Sequence, residues 1–146
     1  VGWNDRMDGI QGAVLNVKLQ HIEDWTEARR QHATYYDELL GTNNNIGILS
    51  IPAEQYRHVY HVYAVCVVDR DRIQQQLRER DIHTGIHYPI PVHLQPAYSD
   101  LNYIKGDFPH TESFADQTLS LPMFPELTHQ QQDQVVEALQ ETVQTV

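Results

Sequence analysis

The stretch His58-Val59-Tyr60-His61-Val62-Tyr63-Ala64-Val65-Cys66-Val67-Val68 constrains this chain more than any other. β-Branched and aromatic side chains fill both faces that a strand would present, which predicts a central strand covered on each side. Such a strand needs neighbours and a cover, and the flanking residues offer both. From residue 4 to residue 40, Ile10, Val14, Val17, Ile22, Trp25, Ala28, Tyr35 and Leu39 recur mostly three or four apart, the period of a helix with one buried stripe. Asn4 or Asp5 is placed to cap its start, and Gly41 with Thr42-Asn43-Asn44-Asn45 to end it. Unbroken, such a helix would run about 50 Å, more than one small domain covers. The spacing therefore predicts one long helix or a bent helix pair, part of which packs on something outside these residues.

Downstream of the strand, Asp69 or Asp71 is placed to cap a helix whose Ile73, Leu77 and Ile82 face inward, and 82–87 reads as a short strand. Residues 101–109 are irregular. Thr111 starts a short helix through Phe114, Ala115 and Leu119, and Leu119-Ser120-Leu121-Pro122 reads as a strand. Thr128 with Gln131 forms a capping box for a last helix whose Val135, Ala138, Leu139, Thr142 and Val146 make one stripe. This order predicts an α+β fold, with helices packed on a small, mainly antiparallel sheet of about three strands.

The 146 residues suit one domain with a real core. A net charge of −10, with 20 acidic residues against 10 Lys and Arg, argues against nucleic acid as a partner, because phosphate binding needs a basic stripe. Arg70, Arg72, Arg78 and Arg80 cluster, but Asp69, Asp71, Glu79 and Asp81 interleave with them, as on the solvated face of a short helix. The single cysteine, Cys66, lies in the apolar run 64–68 and reads as a buried small side chain. One cysteine, no leader and no apolar run long enough to span a bilayer together predict a cytoplasmic protein without a membrane partner. The chain opens on Val1 rather than Met, which suggests that a segment upstream is missing.

Between residues 83 and 98 lie His83, His87 and His93, Tyr88 and Tyr98, and Pro89, Pro91 and Pro96. The prolines fix φ and remove backbone donors, so the stretch is stiff and is not a regular central strand or helix. Taken alone it is either a rigid loop facing a ligand or a stiff structural connection. The 9 histidines raise the question of a metal, but their spacing does not favour one. His58 and His61 point to opposite faces of a strand, and His83 and His87 would sit roughly 13 Å apart. No Gly-x-Ser-x-Gly turn is present, and the lysines, Lys18 and Lys105, read as ordinary surface residues. Asn4, at a helix start, is either a simple cap or part of an anion site.

One resemblance sharpens this. Gly2-Trp3-Asn4-Asp5-Arg6-Met7-Asp8-Gly9-Ile10-Gln11-Gly12-Ala13-Val14-Leu15 resembles the G-[YW]-N-x-R-M-x-x-I-Q-A-A-x-L segment of the DegT/DnrJ/EryC1/StrS sugar aminotransferases. The stretch 84–98, Gly106-Asp107-Phe108-Pro109, and Leu119-Ser120-Leu121-Pro122-Met123-Phe124-Pro125-Glu126-Leu127 are similar to that family in the same order. The resemblance implies the C-terminal part of a fold-type I transferase: residues 1–41 end the large domain and form the linking helix, and 42–146 form the small domain. It implies a homodimer that uses pyridoxal 5'-phosphate to move an amino group from glutamate to a nucleotide-linked keto-sugar, with the Schiff-base lysine upstream of Val1 and the fragment itself inactive. By the same resemblance Asn4 holds the cofactor phosphate of the partner subunit, and His87, Tyr88 and His93 lie near the sugar. Some relatives are dehydratases or regulators, and the His-Tyr-Pro form of the loop looks like that of members that aminate C3.

Overall fold

The computed structural model describes residues 6–41, 43–49 and 56–144. The long helical region is a pair, α1 (Gly9–Leu19) and α2 (Ile22–Leu40), broken at Gln20 and His21. The residue that caps α1 is Asp8, through a capping box with Gln11 in which each side chain meets the other's backbone N–H. The caps expected at Asn4 and Asp5 fall outside the described residues. Residues of α1 are nowhere buried, whereas α2 buries Thr26, His32, Ala33, Tyr36 and Leu40.

A three-stranded antiparallel sheet follows, in the order β1 (Ile46–Ile48), β2 (Tyr63–Val67), β3 (Thr118–Leu121). The expected central strand is central but shorter than the apolar run. Residues 58–62 are not strand because their backbone is already engaged: Arg29 and Arg30 of α2 donate to the carbonyls of Val59 (3.1 Å) and His58 (3.2 Å). Tyr60 turns the chain with φ of 46°, its N–H donating to His58 Nδ1 at 2.9 Å. The third strand is β1, a three-residue stretch to which the sequence pattern assigns no element. The strand expected at 82–87 is reduced to one bridge, Gly85 to Ser120, on the outer edge of β3.

Sheet faces follow from alternation. Tyr63, Val65, Val67, Leu119 and Leu121 lie on the face that is buried with Ile46 in the main core, while Ala64, Cys66, Thr118 and Ser120 share the other face. Cys66 is half-buried rather than sealed in, and burial pushes its thiol pKa up. Helix α3 (Arg70–Glu79) contributes Ile73 and Leu77 to the core and ends in a left-handed Asp81 (φ 61°), with Ile82 N–H returning to Leu77 O at 3.0 Å. Asp69 precedes α3 but its side chain does not cap it; the carboxylate instead accepts from Arg72 Nε at 2.8 Å.

Helix α4 (Pro109–Gln117) stops before β3 (Thr118–Leu121), so Leu119, expected both to end the helix and to open the strand, belongs to the strand alone. Arg70 overturns the reading of its cluster as wholly solvated. It is 7% exposed, and its Nη1 donates to the carbonyls of Ala115 (3.1 Å) and Thr118 (3.0 Å), tying α3 to the junction of α4 and β3. The last helix, α5 (His129–Gln144), carries the expected capping box of Thr128 and Gln131 and packs Val135, Val136, Ala138, Leu139 and Val143 into the core. Its Gln132 reaches back to His32 O at 2.9 Å, locking the end of the chain onto α2. Among the described residues no helix is long and apolar enough to cross a membrane.

Candidate functional site

The proline-rich loop docks on the free edge of β3. Gly85 and Ser120 exchange both backbone hydrogen bonds, at 3.0 and 2.8 Å, and the imidazole of His87 folds back so that Nδ1 lies 2.9 Å from Ser120 Oγ. This needs glycine at 85, where a Cβ would stand 2.8 Å from His87 Cε1. Tyr88 follows through a cis peptide bond and is 72% exposed, its ring edge-on to the imidazole at 5.4 Å. The His87 and Tyr88 pair is thus pinned at its base and open to solvent.

The structure turns His93 inward. It sits in the first of two short 3-10 turns, Val92–Leu94 and Pro96–Leu101, with its side chain 7% exposed and Nε2 3.0 Å from Glu112 Oε1. Glu112, in the first turn of α4, also accepts from Gly106 N–H at 2.8 and 3.0 Å and from Phe108 N–H at 3.4 Å. These donors, Gly106 first and then His93 and Phe108, outweigh burial and hold its carboxyl below the usual carboxylate range. An ionised carboxylate only accepts, so Nε2 of His93 carries a proton. His93, expected beside the sugar, here fastens its loop to α4. Above it Val92, Tyr98, Leu101, Tyr103 and Phe108 line an open apolar cup of about 350 Å³.

Asn4 lies outside the described residues. Lys18, on α1, and Lys105, in the turn before Gly106, are both exposed. For pyridoxal phosphate the described residues do not form a cradle: the cup over His93 has no cation in its wall, and its histidine nitrogen Nε2 is taken by Glu112. A wider groove of about 600 Å³ opens between Asn44, Gly47, Cys66 and Gln144, with no charged group in its lining, and offers little chemistry. Ser120, Gly85 and Glu112 escaped the sequence reading. Signals for two of them were present. Thr118-Leu119-Ser120-Leu121 alternates, which puts the hydroxyls on one face, and a glutamate just inside a helix opened by Pro109 is placed to accept the unpaired N–H groups before it.

Comparison with known proteins places this arrangement. The profile of the DegT/DnrJ/EryC1/StrS aminotransferase family matches residues 1–140. The chain belongs to that family. A pleiotropic regulatory protein of Geobacillus stearothermophilus is 42% identical over 97% of this chain and 38% of its own length. The dTDP-3-amino-3,4,6-trideoxy-alpha-D-glucose transaminase of Streptomyces venezuelae is 39% identical over 99% of this chain and 38% of its own length. The crystal structure of S. venezuelae DesV with a ketimine intermediate superposes with a TM-score of 0.88 at 38% identity, over 99% of this chain and 39% of that one. The α+β fold with its three-stranded antiparallel sheet is therefore that of one part of a DegT/DnrJ/EryC1/StrS aminotransferase, and the chain spans about 38% of the length of the curated relatives it matches.

Proposed function

We propose that this chain is the C-terminal part of a pyridoxal-phosphate-dependent aminotransferase that moves an amino group from glutamate to a keto-sugar carried on a nucleotide. Residues 1–41 end the large domain and link it to a small domain of residues 42–146. The Schiff-base lysine lies outside these residues, and when bound the cofactor supplies the electron sink for the amino transfer. This chain's own contribution is positioning. In a homodimer Asn4 meets the cofactor phosphate of the partner subunit, His87 and Tyr88 offer polar groups to the sugar from a stiff loop, and His93 supports that loop from beneath. The observation that carries this reading is the exposed His87 and Tyr88 pair, pinned to the edge of β3 by a glycine bridge and a serine hydroxyl. Amination at C3 is supported by the relative named as a 3-amino-sugar transaminase.

The test uses the longer protein with its cofactor, glutamate and a dTDP-linked 3-keto-6-deoxy sugar. Formation of 2-oxoglutarate is expected, with borohydride fixing the cofactor to a lysine outside residues 1–146. His87→Gln is expected to lower kcat/KM about tenfold, the worth of one hydrogen bond. Fixation on Lys18 or Lys105 would overturn the reading. A second reading, a non-catalytic sugar-nucleotide-binding regulator, is favoured by the relative named as a regulatory protein. It is supported if the nucleotide-sugar binds and no 2-oxoglutarate appears.

A further inference from the structure

We propose that Ser120 is a positioning residue that fixes which ring nitrogen of His87 faces a ligand, presenting Nε2–H as a hydrogen-bond donor to a keto or hydroxyl oxygen. The inference rests on the reading of His87 as a residue at the sugar. Ser120 lies in β3, is 3% exposed, and has its backbone N–H and carbonyl both engaged by Gly85. The bridge fixes the backbone of Ser120 beneath the loop, and its hydroxyl, free to turn only about χ1, is held by its contact with the imidazole of His87. A buried hydroxyl must place its proton somewhere, and among the described residues its one partner is His87 Nδ1 at 2.9 Å. Oγ–H consequently donates to Nδ1. A neutral imidazole that accepts at Nδ1 carries its own proton on Nε2.

The second face of the ring is fixed independently. Because a Cβ at residue 85 would come 2.8 Å from His87 Cε1, only glycine lets the imidazole lie back over the bridge. Hydroxyl on Nδ1 and backbone beneath Cε1 leave one polar ring atom, Nε2, for a ligand. Alternation along β3 explains how serine comes to be there: Leu119 and Leu121 point into the core, and Ser120 points to the opposite face, under the loop.

The experiment reads the ring directly and through catalysis. In protein with ring-15N histidine at pH 8, where an ordinary imidazole is neutral, His87 is assigned by its disappearance in His87→Gln. Its Nδ1 signal is expected in the unprotonated position and its Nε2 signal in the protonated one. In Ser120→Ala both signals are expected to move toward each other as the ring samples the second tautomer. Gly85→Ala, which displaces the same ring from the other side, is expected to do likewise and serves if Ser120→Ala does not fold. In the longer enzyme Ser120→Ala is expected to raise KM for the keto-sugar roughly fivefold to tenfold, the range for one neutral hydrogen bond, with kcat changed less. The double variant with His87→Gln is expected to be no worse than His87→Gln alone. Unmoved ring signals in both variants, or moved signals with an unchanged KM, overturn the inference. If His87→Gln itself leaves KM and kcat untouched while the ring signals still respond to Ser120→Ala, the failure lies in the reading of His87 as a sugar contact, and the inference falls with it.

Discussion

At the scale of single residues, Glu112 decides the shape of the loop beside the candidate site, because one carboxylate gathers donors from three places in the chain. The amides of Gly106 and Phe108 and the ring of His93 all point at it. Its carboxyl, held below the usual range, binds a proton less readily in the folded protein than in the unfolded chain. As pH falls, the unfolded state takes up that proton first. Stability from this residue is full above the ordinary carboxylate pKa and is lost as pH drops through the lower folded value. Thermal midpoints measured from pH 6 to pH 3 should therefore fall less steeply for Glu112→Gln than for the unaltered protein, with the variant less stable at pH 6. Parallel curves would remove Glu112 from this role. Residues of this kind were hard to read from the sequence. Arg70 and Glu112 look like surface charges, and His93 like a ligand-facing group, because burial of a charge depends on partners that approach from distant parts of the chain. His87 and Tyr88 were legible because proline and aromatic residues in one short stretch mark a stiff loop whatever surrounds it.

Elements are joined by two buried tyrosines. Tyr36 of α2 donates to Pro122 O just past β3 at 3.1 Å, Tyr63 of β2 donates to Asp37 of α2 at 2.6 Å, and the two rings lie 4.9 Å apart. Burial raises both phenol pKa values, and for Tyr63 the bond to Asp37 adds to it. The folded state thus keeps these protons while the unfolded chain loses them near the ordinary tyrosine value. Stability is present below about pH 10 and declines above it. Tyr36→Phe should cost about 0.5–1.5 kcal/mol at pH 7 through its lost hydrogen bond. In urea melts the gap from the unaltered protein should narrow as pH rises past 10, and a constant gap would count against the burial argument. Helix α5 and its capping box could be read from the sequence because propensity, cap and apolar stripe agree there. The strands were less legible. In 58–62 the pattern says strand, but arginines of α2 take the carbonyls that a neighbouring strand would need, and three residues around Gly47 form β1 only because Cys66 and its neighbours lie opposite.

The whole molecule divides into a body and an arm. The body runs from α2 to α5 and holds every core residue among the described residues, whereas α1 carries Ile10, Val14 and Val17 on one stripe with exposures of 81%, 53% and 58%. A helix of 11 residues with no buried contact has only its capping box and propensity to hold it, and helices that short are marginal in water. Sequence periodicity announced the apolar stripe but could not say that its cover is absent from residues 6–144, since a pattern records a face and not a partner. In the proposed enzyme the large domain supplies that cover. Removing residues 1–20 from the 146-residue chain should then leave its thermal midpoint within about 3 °C, because none of residues 6–20 is buried and 1 kcal/mol corresponds to roughly 2–8 °C for domains of this size. Amide exchange supplies the second readout: α1 should exchange far faster than α2 or β2, whose hydrogen bonds open only with the core. In the longer enzyme the same amides should become protected, and there Val14→Ser should destabilise by about 1–3 kcal/mol while in the short chain it costs about 0.5 kcal/mol or less. A large midpoint loss on truncation would mean that α1 is held by the body itself, and equal exchange of α1 in both forms would mean that the large domain does not cover it.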